Sequence, residues 1–296
     1  MKKLFLLSTL LLVALIASAQ IKVAPKMQKG MKNTYISEVV TTIANQKPIT
    51  LTSETLYEVT DETADGYVLD IVVNDLKTDA DPNEVMGRAF GLSSEVMRGV
   101  HIIYAIDKDG NVTKILNYEE MKAKTEKGID NLLDGLTLPE NVISKKALKE
   151  QIMDTMTEES ILQNLQGNTS PLALMGKTIT TGMQNEFVNS QGMKMKRTYT
   201  VNADGTIQTA STMNLSKEEM KNMIIAQVEK LMPSQAEMIR QNIDTVINSG
   251  MVKMEVNENA TYTLTADNWV DTIKSQVVSE SMGVKTTAQT TVRLKK

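Results

Sequence analysis

Apolar and polar residues alternate with a period of two towards both ends of this 296-residue chain, and no other feature constrains its fold as strongly. Around residues 50–60, Ile49, Leu51, Tyr57 and Val59 fall on one side, with Thr50, Thr52, Glu54, Glu58 and Thr60 on the other. Successive side chains of a strand point to opposite faces, so this is the pattern of a half-buried antiparallel strand. Tyr67, Leu69, Ile71 and Val73 repeat it after a turn at 61–66, and a β-branched stretch at 35–43 precedes both. Together they predict a meander. Near the C-terminus Val284, Thr286, Ala288, Val292 and Leu294 alternate with Lys285, Thr287, Gln289 and Arg293, so the chain is expected to close in sheet as well.

Helices are expected between these strands. Ser216 and Glu219 have the spacing of a capping box, and Met220, Met223, Ile224, Val228 and Leu231 follow at helical period until Pro233. A second helix over 234–248 carries Met238, Ile239, Ile243, Val246 and Ile247 and runs towards Gly250. Asn117 with Glu120, Ser144, and Thr157 with Gly167 bracket helices within 118–166, and 82–98 reads as a helix weakened by Gly87 and Gly91. The fold class is therefore α+β. It predicts a large, curved, mostly antiparallel sheet of roughly ten to twelve strands, open like a half-barrel, with helices packed on one face.

Lys2 and Lys3, the apolar run 4–16 and the small-residue site Ala17-Ser18-Ala19 follow the order of a secretory signal peptide. Cleavage of 1–19 would leave 20–296 as one β-rich domain in the periplasm or outside the cell. The apolar run is shorter than the roughly 20 residues of a membrane span, so none is expected after cleavage. Gly167-Asn168-Thr169-Ser170-Pro171 is linker-like and marks an alternative division into two similar lobes near 170. An internal echo motivates that alternative. Tyr104-x-Ile106-Asp107-x-Asp109-Gly110-x-Val112 recurs as Tyr199-x-Val201-Asn202-x-Asp204-Gly205-x-Ile207, and Glu-Glu-Met-Lys follows each, at 119–122 and 218–221.

Most catalytic equipment is missing. With no Cys and one His, the chain can form neither a thiolate metal site nor a cysteine nucleophile, and any His-dependent triad would rest on His101. Losing Lys2 and Lys3 takes the formal charge from −4 to −6. The best basic groups, Lys194, Lys196 and Arg197 and the tail Arg293, Lys295 and Lys296, read as solvated strand faces, so nucleic acid is not an expected partner. The segment 107–111 resembles a calcium loop, but Ala105 and Leu116 would occupy positions that need carboxylates, so it reads as a hairpin turn with Gly110 at positive φ. Tyr118 and Lys122 have the spacing of a dehydrogenase pair, yet no Gly-rich phosphate loop accompanies them. Asp61 with Glu62 and Asp79 with Asp81 read as turn residues, against the alternative of a hydrolase working through carboxylates alone. No catalytic, metal or cofactor site is assigned, and a non-enzymatic protein is expected.

The unusual feature is 20 Met against seven Tyr, three Phe and one Trp. Flexible thioethers conform to irregular apolar surfaces, so a Met-lined sheet and helices could hold a greasy ligand; equally, Met could fill a core where other chains use Phe or Leu. On the first reading the candidate ligand-binding residues are Met193, Met195, Met220, Met223, Ile224 and Met238.

The signal end Ala17-Ser18-Ala19-Gln20, the opening Lys29-Gly30-Met31-Lys32 before the strand at 35–43, and the strand-turn-strand at 104–115 resemble exported domain-of-unknown-function proteins of Bacteroidota-type bacteria. That resemblance implies a cell-envelope address and a β-rich fold, and transfers no site. In architecture the chain is similar to the bacterial lipoprotein-carrier fold, an open half-barrel whose helices cover a hydrophobic concavity. The leading expectation is a non-enzymatic periplasmic binder or carrier of an apolar ligand such as a lipid or lipoprotein. The alternative is a structural or protein-interaction module of the envelope, with a filled core and an exposed surface for an envelope protein.

Overall fold

A computed structural model describes residues 20–44, 46–82, 91, 94, 96–135, 145–154, 156–189, 193–213, 215–231, 236–248, 254–281 and 284–296. The expected signal segment, most of the helix expected at 82–98, Ser144, Pro233 and Gly250 lie outside them. The strands are β1 (Gln20–Lys22), β2 (Lys32–Ile43), β3 (Ile49–Glu62), β4 (Gly66–Thr78), β5 (His101–Asp107), β6 (Val112–Ile115), β7 (Thr178–Thr180), β8 (Gln184–Val188), β9 (Lys194–Val201), β10 (Ile207–Met213), β11 (Met254–Leu264), β12 (Val270–Ser281) and β13 (Val284–Leu294). The helices are α1 (Tyr118–Gly135), α2 (Lys145–Asp154), α3 (Glu158–Asn164), α4 (Lys217–Leu231) and α5 (Ala236–Asn248).

Eleven strands form one curved antiparallel sheet in the order β6-β5-β4-β3-β2-β13-β12-β11-β10-β9-β8. It stays open, with β6 and β8 as its edges. The expected N-terminal meander is β2 to β4, which β5 continues, and the two ends of the chain meet within the sheet, where β13 pairs with β2. Register is continuous across that junction. One inward-facing row runs Asn185, Arg197, Ser211, Glu258, Val277, Ala288 and Thr41 from β8 to β2. The adjacent inward row runs Tyr199, Thr209, Ala260, Ser275, Thr290 and Val39, and the third runs Val201, Ile207, Tyr262, Ile273, Val292 and Ser37.

The third row and the inner face of β3 to β5 are covered by the chain itself. Leu172, Ala173, Leu174 and Met175, with Val23, Met27 and Ile179, pack on Tyr35, Val59, Leu69, Tyr104 and Tyr262 in the main core. This cover is fastened at its margins. The β1–β7 ribbon pairs antiparallel, Val23 N–H donates to Lys177 C=O (2.9 Å), and the Trp269 indole donates to Lys26 C=O (2.9 Å). Tyr35 Oη donates to Val270 C=O (2.8 Å), so its hydroxyl is buried with a partner.

Helix starts follow local chemistry. Glu219 N–H donates to Ser216 Oγ (3.2 Å) while Ser216 N–H donates to Glu219 Oε2 (3.0 Å), which is the expected capping box of α4. Thr157 Oγ1 likewise accepts Ser160 N–H (3.1 Å) at the start of α3. Asn117 does something else. Its side chain accepts Ile103 N–H (2.9 Å) and donates to His101 C=O (3.0 Å), replacing the strand partner that β5 loses where β6 stops at Ile115. Helices α4 and α5 pair with each other, with Lys221 on Asp244 (2.8 Å), and Lys194 to Glu219 ties α4 to β9.

The sequence echo corresponds to one turn used twice. Asp107 N–H donates to Asn111 C=O (2.9 Å) and Gly110 N–H to Asp107 C=O (3.0 Å); Asn202 to Thr206 (2.9 Å) and Gly205 to Asn202 (3.0 Å) repeat the pair. Both glycines take positive φ, +94° and +81°.

Gly66 marks the tightest approach in the sheet: at φ +153°, a Cβ there would lie 1.9 Å from the Ile106 carbonyl oxygen on β5. Gly205 has φ +81° but open space around it. Gly205→Ala should therefore cost only the left-handed penalty of about 1 kcal/mol, whereas Gly66→Ala should cost at least about 3 kcal/mol by forcing β4 from β5. Urea unfolding of the two variants checks this ordering; equal costs would contradict it.

Candidate functional site

The cover stops short of the first inward row, and there a trough opens. Helix α3 and the loop after it pass over β11 to β13, and between them and the sheet lies a cavity of ≈ 480 Å³. Its apolar wall is Phe187, Val256, Val277 and Ala288, while Asn168, Glu258 and Ser275, together with Gln163, Asn164, Thr169, Asn189, Ser279 and Thr286, supply polar groups. The lining mixes apolar and polar side chains, and the volume falls within the ~300–1,000 Å³ that small-molecule sites span.

Asn168 sets the geometry of that roof. It is buried, and its amide nitrogen donates to Glu258 Oε2 (2.8 Å) and Ser211 Oγ (3.2 Å), while its side-chain oxygen accepts Thr209 Oγ1 (3.0 Å). Its backbone carbonyl accepts Tyr262 Oη (2.9 Å). One residue of the expected linker therefore ties the covering segment to β10 and β11.

Arg197 shares the inward row of Glu258, Val277 and Ala288 and is 0% exposed. Nε donates to Ser211 Oγ (3.2 Å), and the guanidinium carbon stacks 4.1 Å from the Phe187 ring centroid. Nη1 and Nη2 have no hydrogen-bond partner. Burial pushes the Glu258 carboxyl above the usual carboxylate range, with Arg197 and the Asn168 amide pulling the other way. Burial, with Arg197 as a like charge, pushes the Lys177 ammonium down to about 8; its Nζ donates to Ala173 C=O (2.7 Å).

The buried arginine corrects the expectation of a solvated basic strand. Lys194 and Lys196 are exposed, but Arg197 has the parity of Met195, Tyr199 and Val201 and points inward with them. That parity was the available signal. The six candidate residues scatter. Met193 and Met195 are buried in a small cluster with Phe187 and Val256, two residues of the trough lining. Met220 lines a separate hollow of ≈ 370 Å³ with Met213 and Leu215. Ile224 is half-buried on α4, the Met223 side chain lies outside the described residues, and Met238 on α5 is 58% exposed. The trough's own polar groups, Asn168, Glu258 and Ser275, carried no motif.

The other weighed residues have structural partners. His101 Nδ1 meets Asp70 Oδ2 at 2.8 Å on an exposed edge, Tyr118 Oη donates to Met156 C=O (3.0 Å), and Asp79 Oδ1 accepts Thr50 N–H (2.7 Å). Among the described residues no group of three or more His, Asp or Glu side chains is placed to hold a metal ion, and no helix is long and apolar enough to cross a membrane.

Two measurements test this electrostatic picture. Asn168→Ala leaves Glu258, Thr209 and Ser211 short of partners and should cost about 2–4 kcal/mol in urea unfolding, with faster amide exchange over 165–175; a cost below about 1 kcal/mol would contradict the anchoring role. Lys177 titrates near 8 in the fold against 10.5 in an unfolded chain, so the unfolded state holds more protons between those values and stability from this group rises with pH there. Lys177→Met should melt higher than the parent at pH 7, and the gap should shrink as pH approaches 10.5; a gap independent of pH would refute the burial argument.

No family model and no curated protein matches the chain. A solved structure of lipovitellin, described for its lipid–protein interactions, is similar at 10% identity and TM-score 0.41, covering 92% of this chain and 26% of that one. The S-type phycobiliprotein lyase CPES from Guillardia theta is similar at 10% identity and TM-score 0.27, covering 89% of this chain and 87% of that one. This chain thus spans about a quarter of the lipovitellin chain, and the chemistry of the trough rests on its own residues.

Proposed function

We propose that the protein is a non-enzymatic, exported binder or carrier of an apolar ligand of the lipid class, held in the trough between α3 and the first inward row. The observation that carries this reading is the cavity itself: Phe187, Val256, Val277 and Ala288 are left on a concave face that the covering segment does not reach. An apolar ligand gains about 25 cal/mol per Å² of apolar surface removed from water, and the open rim gives it a way in and out. The resemblance to exported Bacteroidota-type proteins supports an envelope address, where insoluble molecules need such a carrier.

The decisive experiment is native mass spectrometry with solvent extraction on protein purified from its own host without detergent. A stoichiometric apolar adduct is expected, and Ala288→Phe, which fills the trough, should release it and weaken hydrophobic-dye binding about tenfold. A clean unliganded mass with no dye binding would refute the proposal and favour an envelope interaction module, to be pursued by partner pull-down.

A further inference from the structure

We infer that the trough takes anionic amphiphiles and that Arg197 receives the anionic head. The inference rests on the apolar-ligand reading above and names the ligand's other end.

Four observations converge on it. First, Arg197 is fully buried while Nη1 and Nη2 lack partners. Glu258 is an electrostatic partner of Arg197, but two buried donors that reach no acceptor are still costly, and the guanidinium fork matches the paired oxygens of a carboxylate or phosphate. Second, two other buried groups on the adjacent inward row, Tyr199 Oη and Ser275 Oγ, are also without partners, and Ser275 stands on the cavity wall. All three can donate, so what they lack in common is an acceptor. Third, Phe187 both stacks on the guanidinium and lines the cavity, so a single ring lies against both Arg197 and the trough. Fourth, along the inward row Arg197 on β9 is followed by Ser211 and Glu258 and then by Val277 and Ala288 on β12 and β13. At about 4.8 Å per strand the span from β9 to β13 is roughly 19 Å, charged at one end and apolar at the other. Glu258 is the opposing carboxylate on that wall, and its burial favours the neutral form.

The test uses dodecanoate, dodecyl phosphate and dodecan-1-ol, each below its micellar concentration, titrated calorimetrically into the protein. An anion should bind at least about tenfold tighter than the alcohol, and whichever anion is tighter identifies a carboxylate or a phosphate head. Arg197→Met should bring the anions to the alcohol's affinity and leave the alcohol unchanged. Equal binding of anions and alcohol by the parent would overturn this inference and leave the apolar-binder reading standing; no binding of any probe would overturn both. If Arg197→Met does not fold, Arg197→Lys decides: a point charge in place of the guanidinium fork should weaken anion binding at least about threefold without affecting the alcohol, and unchanged anion binding would overturn the assignment.

Discussion

The side-chain amide of Asn168 is the contact on which the concave face depends. An open sheet of eleven strands presents a broad inner surface that must be covered or left for something else to cover. The chain covers the lower rows with its own segment around Leu172 to Met175, and Asn168 is where that segment is pinned to β10 and β11. Three polar side chains and one tyrosine hydroxyl converge on a single residue, with Thr209, Ser211 and Tyr262 buried and Glu258 half-buried. Because the pin sits at the margin of the cover, it also defines where the cover ends and the trough begins.

Beyond that margin the packing logic changes. The main core is aromatic and aliphatic, with Tyr35 and Tyr57 edge to face at 5.0 Å between ring centroids. The trough row instead mixes Arg197, Ser211 and Glu258 with Val277 and Ala288. A core selected only for stability would replace such a mixed row with apolar residues, since a buried charge pair rarely outperforms a hydrophobic isostere. Retaining an arginine with free donors beside an apolar hollow is more economical for recognition than for folding. The edges of the sheet are kept from further pairing by brevity: β6 runs only Val112–Ile115 and β8 only Gln184–Val188, with exposed Thr113, Lys114 and Glu186 along them.

Much of the fold was legible in the letters because strand alternation, turn chemistry and helix caps act over a few residues. The Ser216–Glu219 box, the Thr157 cap and the Asp107 and Asn202 turns form as their spacing implies. Asn117 shows the limit of that reasoning: its cap spacing is correct, but a nearby strand end with unpaired backbone groups claims the side chain first. The methionine candidates show another. Met195 and Met238 are alike as letters, yet one is buried beside Phe187 and the other is largely in solvent.

By itself the sequence determined an α+β chain with a large antiparallel sheet, where its helices begin, and which chemistries its missing cysteines and single histidine rule out. Tertiary structure decided that the two chain ends meet at β2 and β13, that a linker-like Asn168 becomes a buried anchor, and that Arg197 is interior. The physical reason is range. Periodicity and capping are set by neighbours three or four residues apart, whereas a row such as Arg197, Ser211, Glu258 and Ala288 exists only once register has brought distant strands side by side.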